Sequence, residues 1–188
     1  MSWPRRALLL APLGACARSP DPALFTLAAL PGEARPGGPK TVELRRPGLA
    51  GYLDRPEIVR AAGPYRVDLS GGARWAEPLG DMLGRVLAET LTQRLPGSTV
   101  FTEAGGLSAD GDAVVEIDVQ RFDADAEGRV TLLAQIAVRR PGNRRVGQTR
   151  AVRLEVPARS TAITDIVAAM SATLGQLANT VAAMLRTL

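Results

Sequence analysis

Val115-Glu116-Ile117-Asp118-Val119-Gln120 is followed, past a turn, by Val130-Thr131-Leu132-Leu133-Ala134-Gln135-Ile136-Ala137-Val138-Arg139. A third stretch, Ala151-Val152-Arg153-Leu154-Glu155-Val156, comes next, and together these decide the fold. In the first and third, apolar and polar residues alternate. In the second, Val130, Leu132, Ala134, Ile136 and Val138 share one face, with Thr131, Gln135 and Arg139 among those on the other. A period of two sends successive side chains to opposite sides of a strand. Residues 123–128 and Pro141-Gly142-Asn143 have the composition of turns. The expectation is an antiparallel meander with one apolar face against helices and one mostly polar face in water.

Two helices are available to cover it. Trp75, Leu79, Met82, Leu83, Val86, Leu91 and Leu95 recur at helical spacing, with Arg85, Glu89 and Arg94 on other faces. Pro78 fits within a first turn, and Pro96-Gly97 stops the helix. Near the end, Ile163, Val167, Met170, Leu174, Leu177, Val181, Met184 and Leu188 are spaced by fours and threes. The opposite face of that helix, with Ala168, Ser171, Ala172, Gln176, Asn179, Ala182 and Ala183, carries almost no charge. A helix facing water is normally more polar. Ala168, Ser171, Ala172, Gln176, Asn179 and Ala183 are therefore a candidate face for a partner or a second copy, against the plainer reading of an alanine-rich surface.

Upstream of the meander the elements are shorter. Leu24-Phe25-Thr26-Leu27 reads as a first strand, and residues 31–39, with their prolines and glycines, form no regular element. Thr41-Val42-Glu43-Leu44 alternates as a strand does. Tyr52-Leu53-Asp54-Arg55-Pro56-Glu57-Ile58-Val59 belongs at an edge or a bend, because Pro56 cannot donate to a ladder. Tyr65, Val67 and Leu69 alternate with Arg66 and Asp68 as in a half-buried strand, which Ser70-Gly71-Gly72 breaks. Thr99-Val100-Phe101 is a short buried strand. The predicted fold is α+β: two layers, a mixed and mostly antiparallel sheet, with helices at about 75–95 and 161–187 on one face.

The N-terminus carries different information. Arg5 and Arg6 precede an apolar run that ends in Leu13-Gly14-Ala15-Cys16, the order of a secretory signal and of a bacterial lipobox. The run is too short to span a bilayer, which takes about 20 apolar residues. Residues 1–15 read as a lipoprotein signal peptide, 16–23 as a lipidated tether and 24–188 as a single periplasmic domain. Cys16 is the expected site of covalent lipid attachment.

Composition narrows the chemistry further. The chain has no histidine, and Cys16 is its only cysteine, so His-based triads, ordinary zinc sites and thiol nucleophiles are absent. No enzyme, cofactor or metal is expected. From Cys16 onward there are 21 basic and 19 acidic residues and six aromatic ones. Nucleic-acid binding wants a clustered basic face with aromatic platforms, so that class is set aside. Asp123-x-Asp125-x-Glu127-Gly128 imitates a calcium loop, but its twelfth position is Ala134 instead of a bidentate glutamate. Arg139, Arg140, Arg144 and Arg145 surround the second turn. They are a candidate contact for anionic headgroups, against the plainer reading of a solvated tip.

Several of these stretches together resemble the ABC-type transport auxiliary lipoproteins, the PqiC/YmbA-like lipoproteins. The pieces are the lipobox ending at Cys16, Phe25-Thr26-Leu27, and Tyr52-Leu53-Asp54-Arg55-Pro56-Glu57-Ile58-Val59. Arg74-Trp75-Ala76-Glu77-Pro78-Leu79 and Ile166-Val167-Ala168-Ala169-Met170-Ser171 complete them. Leu24-Phe25 lacks the tyrosines usual in the family's opening. Periodicity dictates neither the Tyr-Leu-Asp-Arg-Pro nor the Trp-Ala-Glu-Pro-Leu segment.

The resemblance implies a non-catalytic accessory to an intermembrane transport system for lipids or other hydrophobic solutes. Its partners would be MCE-domain and permease subunits. Ala17 after the cysteine, in place of aspartate, implies an outer-membrane anchor on the periplasmic side in a Gram-negative envelope. The competing expectation is a freestanding envelope-structural lipoprotein with no transport role.

Overall fold

β7 (Ala113–Ala124) is the strand on which the others are assembled. The structure is a computed structural model that describes residues 21–103, 110–142 and 147–188. In chain order its other elements are β1 (Ala23–Phe25), β2 (Thr41–Leu44), β3 (Gly48–Leu49), β4 (Glu57–Ala61), β5 (Val67–Trp75), α1 (Leu79–Arg94) and β6 (Thr99–Thr102). After β7 come β8 (Arg129–Arg139), β9 (Gly147–Pro157) and α2 (Ile163–Leu185).

One edge of β7 carries the meander. β8 pairs antiparallel with it from Val114↔Arg139 to Ala124↔Val130, and β9 pairs antiparallel with β8 along its whole length. The other edge carries β2, β3 and β4 end to end, all parallel to β7. Residues 41–61 thus form one interrupted strand. Outside it, β6 adds parallel to β2, β5 adds antiparallel to β4, and β1 adds parallel to β5. The sheet is mixed, as predicted, and both helices lie on one face.

That face holds the core. Val115, Ile117, Val119 and Phe122 of β7 and Val130, Leu132, Ala134, Ile136 and Val138 of β8 are all buried in it. They meet the apolar seam of α2, whose Val167, Met170, Leu174, Leu177, Val181 and Met184 are buried. α2 is long and apolar enough to cross a bilayer, yet 67 % of that window is buried in the domain, so here it is a core helix.

Register defines two ends. Where β7 finishes lie the β7–β8 turn, the β4–β5 hairpin and the entry of the chain into β1. Where β7 starts lie the β8–β9 turn and the C-terminus of α2, where Gln148 donates to the Thr187 carbonyl at 3.1 Å.

Four expectations need correction. Trp75 ends β5 and does not open the helix; α1 starts at Leu79, with Pro78 as its N-cap. The Ser70-Gly71-Gly72 stretch bends β5 without ending it. Glu57 pairs with Arg74 and Val59 with Leu69, so two steps along β4 oppose five along β5. Gly72, at φ +75°, takes the left-handed turn this requires.

The surplus is an odd number of residues, so it reverses which face the alternation serves. Ala73 and Trp75 face the core, whereas Val67 and Leu69 share the outer face with Val59 and are exposed, not half-buried. Finally, Arg94 is buried, and the irregular segment at 26–38 runs as a strap along both helices. In that strap Leu27 N–H meets Met82 Sδ at 3.2 Å, Ala28 N–H donates to Ser171 Oγ at 3.1 Å, and Arg35 N–H donates to the Arg94 carbonyl at 2.9 Å.

Candidate functional site

The two segments that periodicity does not dictate, Tyr52–Pro56 and Arg74–Leu79 in sequence, come together in space. β4–β5 pairing brings them there: Trp75 N–H donates to the Pro56 carbonyl at 2.7 Å, and Arg74 meets Glu57 at 3.5 Å. Between them lies an open cavity of about 360 Å³ lined by Asp54, Arg55, Pro56, Trp75, Glu77, Pro78 and Leu79. Trp75 and Leu79 anchor its wall in the core. Pro56 before β4 and Pro78 before α1 both stand where a missing N–H costs no ladder bond.

The charges around the cavity are unevenly satisfied. Glu77 is held by Arg85, which also donates to Thr26 Oγ1 at 3.3 Å and so ties the cavity's rim to the strap. Asp81, in the first turn of α1, accepts from Arg46 Nε at 2.6 Å. Arg55 has no ion pair among the described residues, and its Nε is buried without an acceptor. A buried donor left unpaired costs about 1–3 kcal/mol. An acceptor supplied from outside would recover that cost.

Deeper along β7, Asp123 is buried and not part of an open acidic turn. It accepts from Tyr52 Oη at 2.7 Å and from Arg121 Nε at 2.9 Å. Burial, then the bond to Asp123, pushes the Tyr52 phenol above its ordinary pKa. Asp125 Oδ1 accepts the backbone N–H groups of Glu127 and Arg129, closing the β7–β8 turn on itself. The Asp123 and Asp125 carboxylates of the would-be calcium loop are thus already engaged. Among the described residues no cluster of three metal-ligating side chains exists.

The remaining candidates are scattered. On α2, Ala168, Gln176 and Ala183 are exposed and Ala172 is half-buried, but Ser171 is buried under the strap at Ala28. Asn179 is also engaged, accepting from Arg94 Nε at 2.5 Å. Arg94 reaches the carbonyls of Leu30 and Thr90 as well, both at 3.3 Å, and burial lowers its pKa. The small-residue face is therefore narrower than its sequence suggests, because the chain's own strap occupies part of it. Arg139 pairs with Glu116 at 3.0 Å and Arg140 is exposed, at the end of the sheet away from β1's entry. Cys16, Arg144 and Arg145 lie outside the described residues.

The family described as the ABC-type transport auxiliary lipoprotein component matches this chain across residues 25–182. The chain belongs to that family. The match begins at the last residue of β1 and takes in both aperiodic segments, the meander and all but the last turn of α2. No curated protein matches the chain. Among solved structures, that of an uncharacterized protein superposes with a TM-score of 0.73 at 18 % identity, covering 87 % of this chain and 98 % of its own. Protein XCC0632 from Xanthomonas campestris, of the DUF330 family, superposes with a TM-score of 0.69 at 21 % identity, covering 85 % and 92 %. At such identities the likeness is one of fold. Membership makes this a lipoprotein component auxiliary to ABC-type transport, and so a protein of the cell envelope.

Sequence reasoning missed Arg94, Asp123 and the role of Arg55. An arginine or aspartate at a polar position of a periodic segment carries no local sign of burial. Only Arg55, inside an aperiodic segment, had a signal that could have singled it out.

Proposed function

We propose that this protein is a non-catalytic docking component of an intermembrane transport system for lipids or other hydrophobic solutes. It is held on the periplasmic side of the outer membrane by a lipid on Cys16. The observation that carries the docking reading is the convergence of the two aperiodic segments on one cavity around Arg55, an arginine without an acceptor of its own. Packing and periodicity do not require these residue types there, and a guanidinium presents a fixed fork of donors suited to a carboxylate or carbonyl. The partner surface expected at this cavity thus offers an acidic or carbonyl group beside an apolar side chain that packs on Pro56 and Pro78. MCE-domain and permease subunits are the partners this proposal names, a permease being in keeping with the family's ABC-type transport role.

A photo-crosslinking residue at position 54 or 77, in cells, tests the proposal against a control at position 155 on the outer face of β9. Capture of an MCE or permease subunit from 54 or 77 and not from 155 is the expected result. Recovery of only envelope-structural components would favour a freestanding lipoprotein and refute the docking role. So would capture from 54 or 77 that is unchanged when Arg55→Ala is introduced.

A further inference from the structure

The four large apolar side chains most exposed among the described residues are Leu24, Tyr65, Val67 and Leu69, at 66, 100, 44 and 46 %. They gather in one corner. Val67 pairs with Ala61 and Leu69 with Val59, while Leu24 pairs with Arg74, itself opposite Glu57. Paired residues share a face, so Leu24, Val67 and Leu69 lie on the outer side of the sheet, away from both helices. Tyr65 stands at the hairpin tip, which the bond from Ala62 N–H to the Arg66 carbonyl (2.9 Å) closes. An apolar cluster of this kind on a folded domain marks a contact surface.

The path of the chain says what covers it. β1 runs parallel to β5, so tracing back from Ala23 leads toward the tip, not away from it. Ala23 is level with Ala73, which is six residues from Val67 along β5 but, with three taken up by the bulge, only three ladder steps away, or about 10 Å at ~3.3 Å per residue. The seven residues from Cys16 to Ala23 span up to about 25 Å. A lipid on Cys16 can therefore lie level with Tyr65. Arg139 and Arg140, ahead of the β8–β9 turn, sit at the opposite end of β7, about 40 Å off at ~3.3 Å per residue.

We infer that the β4–β5 tip is a second membrane contact, with Tyr65, Val67 and Leu69 resting in the interfacial layer of the bilayer that holds the anchor. This rests on the Cys16 anchor proposed above. Tyrosine suits the boundary because its ring is apolar and its hydroxyl is wet. The tip holds the domain at a set tilt, which a tether alone would leave free to swing. The bulge at Gly71-Gly72 separates the tip from the buried base at Trp75, so the tip's polarity can be changed without disturbing the core.

The test uses the acylated full chain in vesicles of phosphatidylethanolamine and phosphatidylglycerol. With the Cys16 thiol consumed by lipid, an introduced cysteine takes a single environment-sensitive fluorophore at Pro64→Cys, Ser70→Cys or, as control, Ala151→Cys. Shallow nitroxide lipids are expected to quench the label at 64 most, that at 70 less and that at 151 not at all. The label at 64 should also shift to the blue. Adding Tyr65→Ser, Val67→Thr and Leu69→Ser should abolish quenching at 64 while the protein still floats with the vesicles.

Equal responses at 64 and 151 on floating protein would overturn the inference and leave the anchor intact. So would a tip that stays unquenched on vesicles but crosslinks to a protein in cells. Protein that fails to float, with an unmodified Cys16 peptide by mass spectrometry, would refute the anchor and this inference with it.

Discussion

Replacing Gly32 by alanine is expected to destabilise the domain through a residue far away in sequence. A Cβ at position 32 would stand 2.4 Å from Arg94 Nη2 and 2.5 Å from its Cζ. The far end of an arginine can usually move aside, but this one is 3 % exposed and is held by Asn179 Oδ1 and the Leu30 and Thr90 carbonyls. Two of the three bonds are long at 3.3 Å, so the cost is set mainly by the bond to Asn179. A hydrogen bond from a charged group contributes about 1.5–3 kcal/mol. Gly→Ala at a compatible backbone returns about 0.4–1 kcal/mol by stiffening the unfolded chain. The net loss is about 0.5–2.6 kcal/mol, a fall in Tm of roughly 1–10 °C for a domain of this size.

Thermal unfolding followed by circular dichroism measures it in a double-mutant cycle with Arg94→Met. In the Arg94→Met background, Gly32→Ala should cost nothing or slightly stabilise. An equal loss in both backgrounds would refute the assignment of Arg94 as the group the new methyl displaces. It would put the clash in the strap itself.

Three further perturbations probe other parts of the molecule. Gly175→Ala approaches the same guanidinium from α2 at an ordinary 3.4 Å, so it should stabilise by up to about 1 kcal/mol through helix propensity, read as a rise in Tm. Tyr52→Phe should cost about 1–2 kcal/mol at neutral pH by removing the bond to Asp123. Because the Tyr52 phenol is raised in the fold, its contribution is present below the free phenol pKa near 10 and is lost as pH climbs above it. The variant should therefore lose less stability than the parent on alkaline titration, and parallel curves would contradict this. Cys16→Ser should release the protein from washed membranes into the soluble envelope fraction, and continued sedimentation with membranes would remove the anchor.

Where alternation or helical spacing was long and uninterrupted, the sequence was legible. β8 presents Val130 through Val138 to the core as read, and the α2 seam is buried along its length, because each pattern is local and only one side has cover. Legibility ends where a partner strand decides the matter. Nothing local in Val67-Asp68-Leu69 tells which face it will serve. The three surplus residues opposite β4 settle that, and they invert it between Leu69 and Ala73. β3 was invisible because Gly48-Leu49 owes its strand state to Asp118 and Val119 across the ladder.

At the candidate site, the two aperiodic segments stood out in the sequence, but their meeting around Arg55 follows from antiparallel pairing of β4 with β5. The strap over Ser171 and Arg94 was illegible for a related reason. A proline- and glycine-rich stretch announces that it is irregular and says nothing of where it lies.

β1 has a consequence of a mechanical kind. It is three residues long, parallel to β5, and the first of the elements among the described residues. A pull on Ala23 along the strand's own axis would load all of its bonds to β5 at once, in shear, not one by one as in a zipper. Behind it the Arg85–Thr26, Ser171–Ala28 and Arg94–Leu30 bonds take up load in turn before the sheet at β2 is reached. A load from the N-terminal side thus meets β1 first among the described elements, and the strap is a series of links that yield before β2 is reached.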